Sequence, residues 1–204
     1  MANVFDIHPT HPQQRLLARA AEVLDQGGVV VYPTDTTYGL ACHMGDKAAL
    51  QRIIRLRRLP ARHQFTLLCE DLTDIGTYAR VDNSTYRLLK RLTPGAYTFI
   101  LKATREVPRR ILHEKRRTIG VWVPSHPIAQ GLLAAFGGPL LTTTLRLPES
   151  DAPLSDPDEI RAHLTRHVDL LLLSGFGGLE ESTVVDMTGG SPAVIRAGAG
   201  AIDW

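Results

Sequence analysis

The chain of 204 residues is 44% hydrophobic and 22% charged, with a formal net charge of +2. That composition fits one large folded domain and excludes a disordered polyelectrolyte or a coiled coil. Two cysteines, Cys42 and Cys69, exclude a disulfide framework and a four-cysteine zinc site; no apolar run approaches the ~20 residues of a membrane span, and Met1–Asp6 has no basic stretch leading into an apolar one, so a cytoplasmic chain with reduced thiols is expected.

In chain order, Leu16, Leu17, Ala20, Ala21 and Leu24 form one helical stripe within residues 12–26, and Gly27-Gly28 ends that helix before a strand at 28–32. A second helix is predicted from Asp46, its N-cap, to about Leu56, followed by the strand Phe65–Cys69. Asp82 or Asn83 starts a helix through Leu92, and Pro94-Gly95 turns the chain into the strand Tyr97–Leu101. Thr118–Val123 reads as a strand, 126–136 as a helix closed by Gly137-Gly138, and Leu140–Thr144 as a strand. Asp156-Pro157-Asp158-Glu159 opens a helix with acids at its positive end, and three short strands follow at Val168–Leu173, Thr183–Asp186 and Ala193–Arg196. This order predicts an α/β domain with a twisted, open, mixed sheet. Residues 147–157, rich in proline and acid, are the most loop-like segment and a candidate flap.

The octapeptide Pro33-Thr34-Asp35-Thr36-Thr37-Tyr38-Gly39-Leu40 crowds hydroxyls and a carboxylate into a strand exit, read as a loop between a strand and a helix. Either it grips a polar ligand, or its side chains only satisfy nearby backbone groups. Residues 1–148 hold 20 Lys and Arg against 11 Asp and Glu, while 149–204 hold 3 against 10. The basic side chains concentrate in two clusters. Arg52, Arg55, Arg57, Arg58, Arg62 and His63 lie at the end of the second helix; Lys102, Arg105, Arg109, Arg110, Lys115, Arg116 and Arg117 span a hairpin. Guanidinium forks suit phosphate oxygens, and few aromatics interleave these charges, so RNA backbone contact is favoured over base stacking. Solvated faces and helix-dipole stabilisation are the competing readings. There is no GxxxxGK[ST], HExxH or GxSxG, which excludes the corresponding NTPase, zinc-protease and hydrolase chemistries.

The strings VVVYPTDTTYGL, TPGAYTFILKA, TIGVWVPSHP, PLLTTT, ESTVVD and VIRAGA, with the basic helix end, stand in the order seen in the YrdC-like family. Over residues 10–200 the chain most closely resembles the YciO branch. The resemblance implies a twisted open sheet with a concave basic face, and one YrdC-like domain over 1–204 with no additional C-terminal domain. It implies L-threonylcarbamoyladenylate synthesis from threonine, bicarbonate and ATP, with Mg2+ accompanying ATP and no tightly bound cofactor or metal site. By the same resemblance, the product would serve tRNA modification. Carried over by position, Thr34, Thr36, Tyr38, Ser182 and Thr183 would bind substrate, and Arg55, Arg57, Thr142, Thr144, Arg146 and Arg196 the nucleotide and its phosphates. Arg52, Arg58, Arg62, Lys102, Arg109, Arg110, Lys115, Arg116 and Arg117 would meet RNA. Four departures mark the pattern: the Lys-x-Arg of the second helix end falls on Arg55-Leu56-Arg57 or on Arg57 and Leu59, Thr144-Leu145-Arg146 replaces Ser-x-Asn, Trp122 replaces an arginine, and Cys69 a histidine. They leave open a non-catalytic module of the same fold that binds double-stranded RNA or tRNA.

Overall fold

A computed structural model of the protein describes residues 1–60 and 63–204. The elements in order are β1 (Asn3–Asp6), α1 (Gln14–Asp25), β2 (Val30–Pro33), β3 (Tyr38–His43), α2 (Lys47–Arg57), β4 (Thr66–Leu68), α3 (Leu72–Tyr78) and α4 (Asn83–Leu92). Then come β5 (Tyr97–Lys102), a 3-10 turn at Arg109–Ile111, β6 (Thr118–Trp122), α5 (Pro127–Phe136), β7 (Leu140–Thr144), α6 (Pro157–Leu164), β8 (Leu170–Leu173), β9 (Thr183–Asp186) and β10 (Ala193–Arg196). The strands form one mixed ten-stranded sheet in the order β1-β8-β2-β3-β7-β4-β6-β5-β9-β10. No described helix is long and apolar enough to cross a membrane.

Local chemistry sets the helix starts. The Asp46 carboxylate accepts from Ala49 N at 2.8 Å, and Asp82 accepts from Thr85 N at 2.7 Å, so both expected N-caps satisfy an otherwise orphaned backbone donor. Asp71 does the same for Thr73 N and Asp74 N, which starts α3, a helix the apolar pattern did not reveal. Its seven residues include Gly76 and bury only Ile75, too little for a periodic stripe. β1 was missed for a similar reason: none of its four residues is fully buried, and it is held by parallel pairing with β8.

One expectation is corrected outright. The octapeptide does not lead from a strand into a helix; it is the turn of an antiparallel hairpin, in which Val30 pairs with Ala41 and Pro33 with Tyr38. Tyr38, Leu40 and Cys42 point into one apolar cluster and Ala41 into the other, so β3 is buried on both faces. A strand buried on both faces lacks the polar alternation by which a half-buried strand is read.

Strand register explains where the sheet is covered and where it is open. Cross-strand partners share a face, so Leu68, Leu140 and Trp122 lie together, as do Thr66, Thr142 and Gly120 one pleat further along. Leu68, Leu140 and Trp122 are packed in the cluster built on α1 and α5, with Leu17, Leu24, Leu132 and Leu133. The same face then turns to hydroxyls and becomes a concavity. Behind it, the larger cluster packs the other face through Leu50 and Ile53 of α2, Ile75, Leu88, Leu89 and Ile160.

The segment after β8 closes over the hairpin turn. A Cβ at Gly178 would lie 2.0 Å from Thr36 O, and one at Gly177 2.7 Å from Tyr38 Cδ2. Gly178→Ala is expected to cost about 1–3 kcal/mol, as other overpacked contacts do. Gly189→Ala, whose added Cβ meets nothing within 4 Å, serves as the control. Urea unfolding reads both, and equal midpoints would show that the segment does not depend on this contact.

Candidate functional site

The hairpin turn is wired to its neighbours by its own polar groups. Thr34 Oγ1 donates to Thr37 O at 2.5 Å and accepts from Thr36 N at 3.2 Å. Asp35 accepts from Ser125 N at 2.8 Å and from Ser125 Oγ at 2.7 Å, tying the turn to the start of α5. Most of the octapeptide's polar chemistry therefore satisfies backbone, and Thr34 and Thr37 alone of its hydroxyls line the adjacent cavity. Tyr38 is fully buried; its phenol donates to Gly175 O at 2.6 Å and accepts from Ser174 N at 2.9 Å, anchoring the segment that covers the turn.

The cavity has a volume of about 350 Å³. β7 contributes Thr142, Thr143 and Thr144, β5 contributes Thr98 and Ile100, and Thr66, Gln64 and Trp122 complete the floor and one wall. Gly39 is part of the lining, and Gly120 leaves room for Thr66, since a Cβ at Gly120 would lie 2.6 Å from Thr66 Oγ1. Three arginines from separate segments reach in: Arg57 at the end of α2, Arg146 just beyond β7, and Arg196 at the end of β10.

Each arginine is held differently. Arg57 donates through Nη1 to Thr143 Oγ1 at 2.7 Å and through Nε to Arg146 O at 3.2 Å. Arg196 lies on Ser182, with Nε and Nη2 donating to Ser182 O at 3.1 and 2.8 Å. The Glu181 carboxylate then joins two of them, accepting from Arg146 Nη2 at 3.0 Å and from Arg196 Nη1. Arg146 Nε is buried and has no hydrogen-bond partner among the described residues. An unsatisfied buried guanidinium N–H is costly, so it marks a place where an acceptor belongs.

Burial, and then the neighbouring Arg146, lowers Arg57 to about 10, which leaves it charged at neutral pH. His63, whose Nε2 lies 3.3 Å from Thr143 Oγ1, is lowered to about 4 by burial first and by Arg57 second, so its imidazole is neutral. Burial raises the Tyr32 phenol, which therefore stays protonated beside Thr142 Oγ1 at 2.6 Å.

Of the residues singled out in the sequence, Thr34, Ser182, Arg57, Thr142, Thr144, Arg146 and Arg196 line this cavity. Thr36, Tyr38 and Thr183 do not. Thr36 is buried, and Thr183 Oγ1 is spent on Gly200 O at 2.6 Å and Gly198 N at 3.0 Å. Arg55 is turned away from Arg57 into a second hollow of about 470 Å³, with Arg52, Arg58, His163 and His167. A helix advances 100° per residue, so two positions separate the side chains onto different faces.

The basic residues assigned to RNA divide in the same way. Arg52 is bound to Asp169 at 2.7 Å and His167 O at 3.2 Å, Arg110 to Gly45 O, and Arg116 to Asp186 at 3.2 Å. Arg58 pairs with Glu149 in solvent, where such a pair is worth little. Lys102, Arg109, Lys115 and Arg117 are exposed, and Arg62 lies outside the described residues. Two of the departures are also explained: Trp122 walls the cavity and donates Nε1 to Gly95 O at 2.6 Å, while Cys69 is buried away from it, its thiol pushed up by burial. Glu181 and Thr143 were not singled out as site residues, although one adjoins Ser182 and the other stands between two chosen threonines.

Comparison with known proteins agrees with this architecture. The Sua5/YciO/YrdC family model, described as "Telomere recombination", matches residues 22–198. The chain is 54% identical to YciO of Escherichia coli (strain K12) over 200 residues, covering 98% of this chain and 97% of that one. The crystal structure of E. coli YciO superposes with a TM-score of 0.96 over 100% of this chain and 98% of that one, at 53% identity. A threonylcarbamoyl-AMP synthase of Halorhodospira halophila is 33% identical over 178 residues, 87% of this chain and 92% of that protein. P. abyssi Sua5, solved with L-threonine, shares the fold at 24% identity, with a TM-score of 0.87 over 96% of this chain and 57% of that one. With residues 22–198 matched by the family model and E. coli YciO matched along nearly its whole length, the chain belongs to the Sua5/YciO/YrdC family.

Proposed function

We propose that this protein binds ATP and threonine in the arginine-lined cavity and makes threonylcarbamoyl-AMP. The threonine amine would take up bicarbonate to give a carbamate and water; the carbamate oxygen would then attack the α-phosphorus of ATP, and pyrophosphate would leave. The observation that carries this reading is the convergence of Arg57, Arg146 and Arg196 on one hydroxyl-lined cavity, with the buried Nε of Arg146 lacking an acceptor among the described residues. A triphosphate supplies acceptors in number, and arginine forks neutralise the charge that develops on the leaving pyrophosphate. The name of the H. halophila relative supports the same reaction.

The division of labour follows from side-chain chemistry. Thr144 and the hydrogen-bonded pair Thr98–Ser182 offer hydroxyls that donate and accept, and Thr34, whose proton goes to Thr37 O, offers a lone pair, which together suit a zwitterionic amino acid and its carbamate. Magnesium enters with ATP as part of the substrate: the cavity's carboxylate, Glu181, is already engaged by two arginines, so the ion's ligands would be phosphate oxygens and water. Rate acceleration then rests on positioning and electrostatics.

A second reading is favoured by a specific feature. Lys102, Arg109, Lys115 and Arg117 crowd the exposed β5–β6 connection, away from the cavity wall, and such a surface suits the phosphate backbone of double-stranded RNA or tRNA. One experiment separates the two. Protein given ATP, magnesium, bicarbonate and threonine is expected to release pyrophosphate, and to release none without threonine. No threonine-dependent release above a heat-killed control, together with salt-sensitive RNA binding, would replace the synthase by an RNA-binding module.

His63 provides a further check on the cavity's charge. The unfolded chain protonates this imidazole near 6.5, whereas the folded protein refuses the proton until about 4. Its contribution to stability is complete above that window and falls as the pH drops through it. Wild type is therefore expected to lose stability relative to His63→Gln between about pH 6.5 and pH 4. Parallel stability curves for the two proteins would show that His63 is not held neutral by burial among arginines.

A further inference from the structure

We propose that Glu181 is a resident counter-ion: in the free protein its carboxylate occupies the anion position between Arg146 and Arg196, and its displacement selects polyphosphates over singly charged anions. This rests on the reading of the cavity as a phosphate site, and it adds a residue that decides which phosphates enter.

The Glu181 side chain is 16% exposed, and its two oxygens are divided between the two guanidinium groups. The partners are not equally dependent on it. Arg196 keeps two bonds to Ser182 O whether Glu181 is present or not, so its fork stays in place. Arg146 has one side-chain partner, Glu181, and its Nε has none among the described residues. Removing the carboxylate therefore leaves two arginines aimed into the cavity with their positive charge uncompensated.

The backbone restricts how Glu181 can leave. Its carbonyl accepts from Ala199 N at 2.9 Å, and a Cβ at Gly198 would lie 2.2 Å from that same oxygen, so the main chain is clamped against the segment after β10. Exchange then needs only side-chain rotation. An incoming monoanion replaces one negative charge by another and gains little, whereas a di- or triphosphate brings several charges and enough oxygens to reach Arg146 Nε as well. The resident carboxylate thus raises the threshold for small anions more than for polyphosphates.

The test is calorimetric titration of wild type and Glu181→Gln with inorganic phosphate and with pyrophosphate. The amide keeps the shape and removes the charge. Glu181→Gln is expected to bind phosphate about tenfold more tightly and to gain less for pyrophosphate, so that the preference for pyrophosphate narrows. Equal or weaker binding of phosphate by the variant would overturn the counter-ion role while leaving the phosphate site intact. No binding of either ligand by either protein would overturn the phosphate reading along with it. A variant-free arm is the structure of wild type with pyrophosphate: Glu181 is expected to have turned off both arginines, and two intact ion pairs beside bound pyrophosphate would overturn the proposal.

Discussion

The two-residue period of β7 is the constraint on which the molecule turns. This strand pairs antiparallel to β3 on one side and to β4 on the other, near the middle of the sheet. Along one of its faces the side chains run Leu140, Thr142, Thr144. The first is packed under α1 and α5, and the next two line the cavity. β4 repeats the change, with Leu68 in the core and Thr66 in the cavity wall. A slip of one residue would put Leu141 into the cavity and hydroxyls into the apolar core. Fold and site are therefore fixed by the same hydrogen-bonded register.

Three arginines around one hollow are expensive, because desolvation and mutual repulsion both oppose their charge. The lowering of Arg57 by burial and by Arg146 expresses that cost. The structure offsets it with acceptors taken from the framework: Arg146 O and Thr143 Oγ1 for Arg57, Ser182 O for Arg196, and the Glu181 carboxylate shared between Arg146 and Arg196. His63 contributes by staying neutral. What results is a cavity whose positive charge is held in position before any ligand arrives, the condition under which electrostatic stabilisation is most effective.

Much of this was legible in the sequence, because α1, α2, α4 and α5 carry apolar stripes or caps, β5, β6 and β8 are short, largely apolar runs between turn residues, and β7 follows the Gly137-Gly138 stop with two leucines and three β-branched threonines. β3 was not, since a strand buried on both faces shows no alternation, and its turn contains no Asn-Gly or Gly-Gly signal. The site was legible in part. Matching strings brought Thr34, Ser182 and the arginines together, yet a string cannot say which way a side chain points. Tyr38 and Thr183 hold the walls from behind although each stands beside residues that line the cavity, and Arg55, two positions before Arg57, faces another hollow. Glu181 escaped notice because a lone acid in a basic site has meaning only once its two arginines are seen around it.

The separation of Arg57 from Arg55 gives the most direct test that the cavity, and not the basic surface in general, receives the nucleotide. The two residues lie two apart on one helix end, carry the same charge and open into different hollows. ATP affinity measured for Arg57→Gln and Arg55→Gln is expected to fall by about tenfold or more in the first and to change little in the second. Equal losses in both variants, or a loss confined to Arg55→Gln, would contradict the assignment of the cavity.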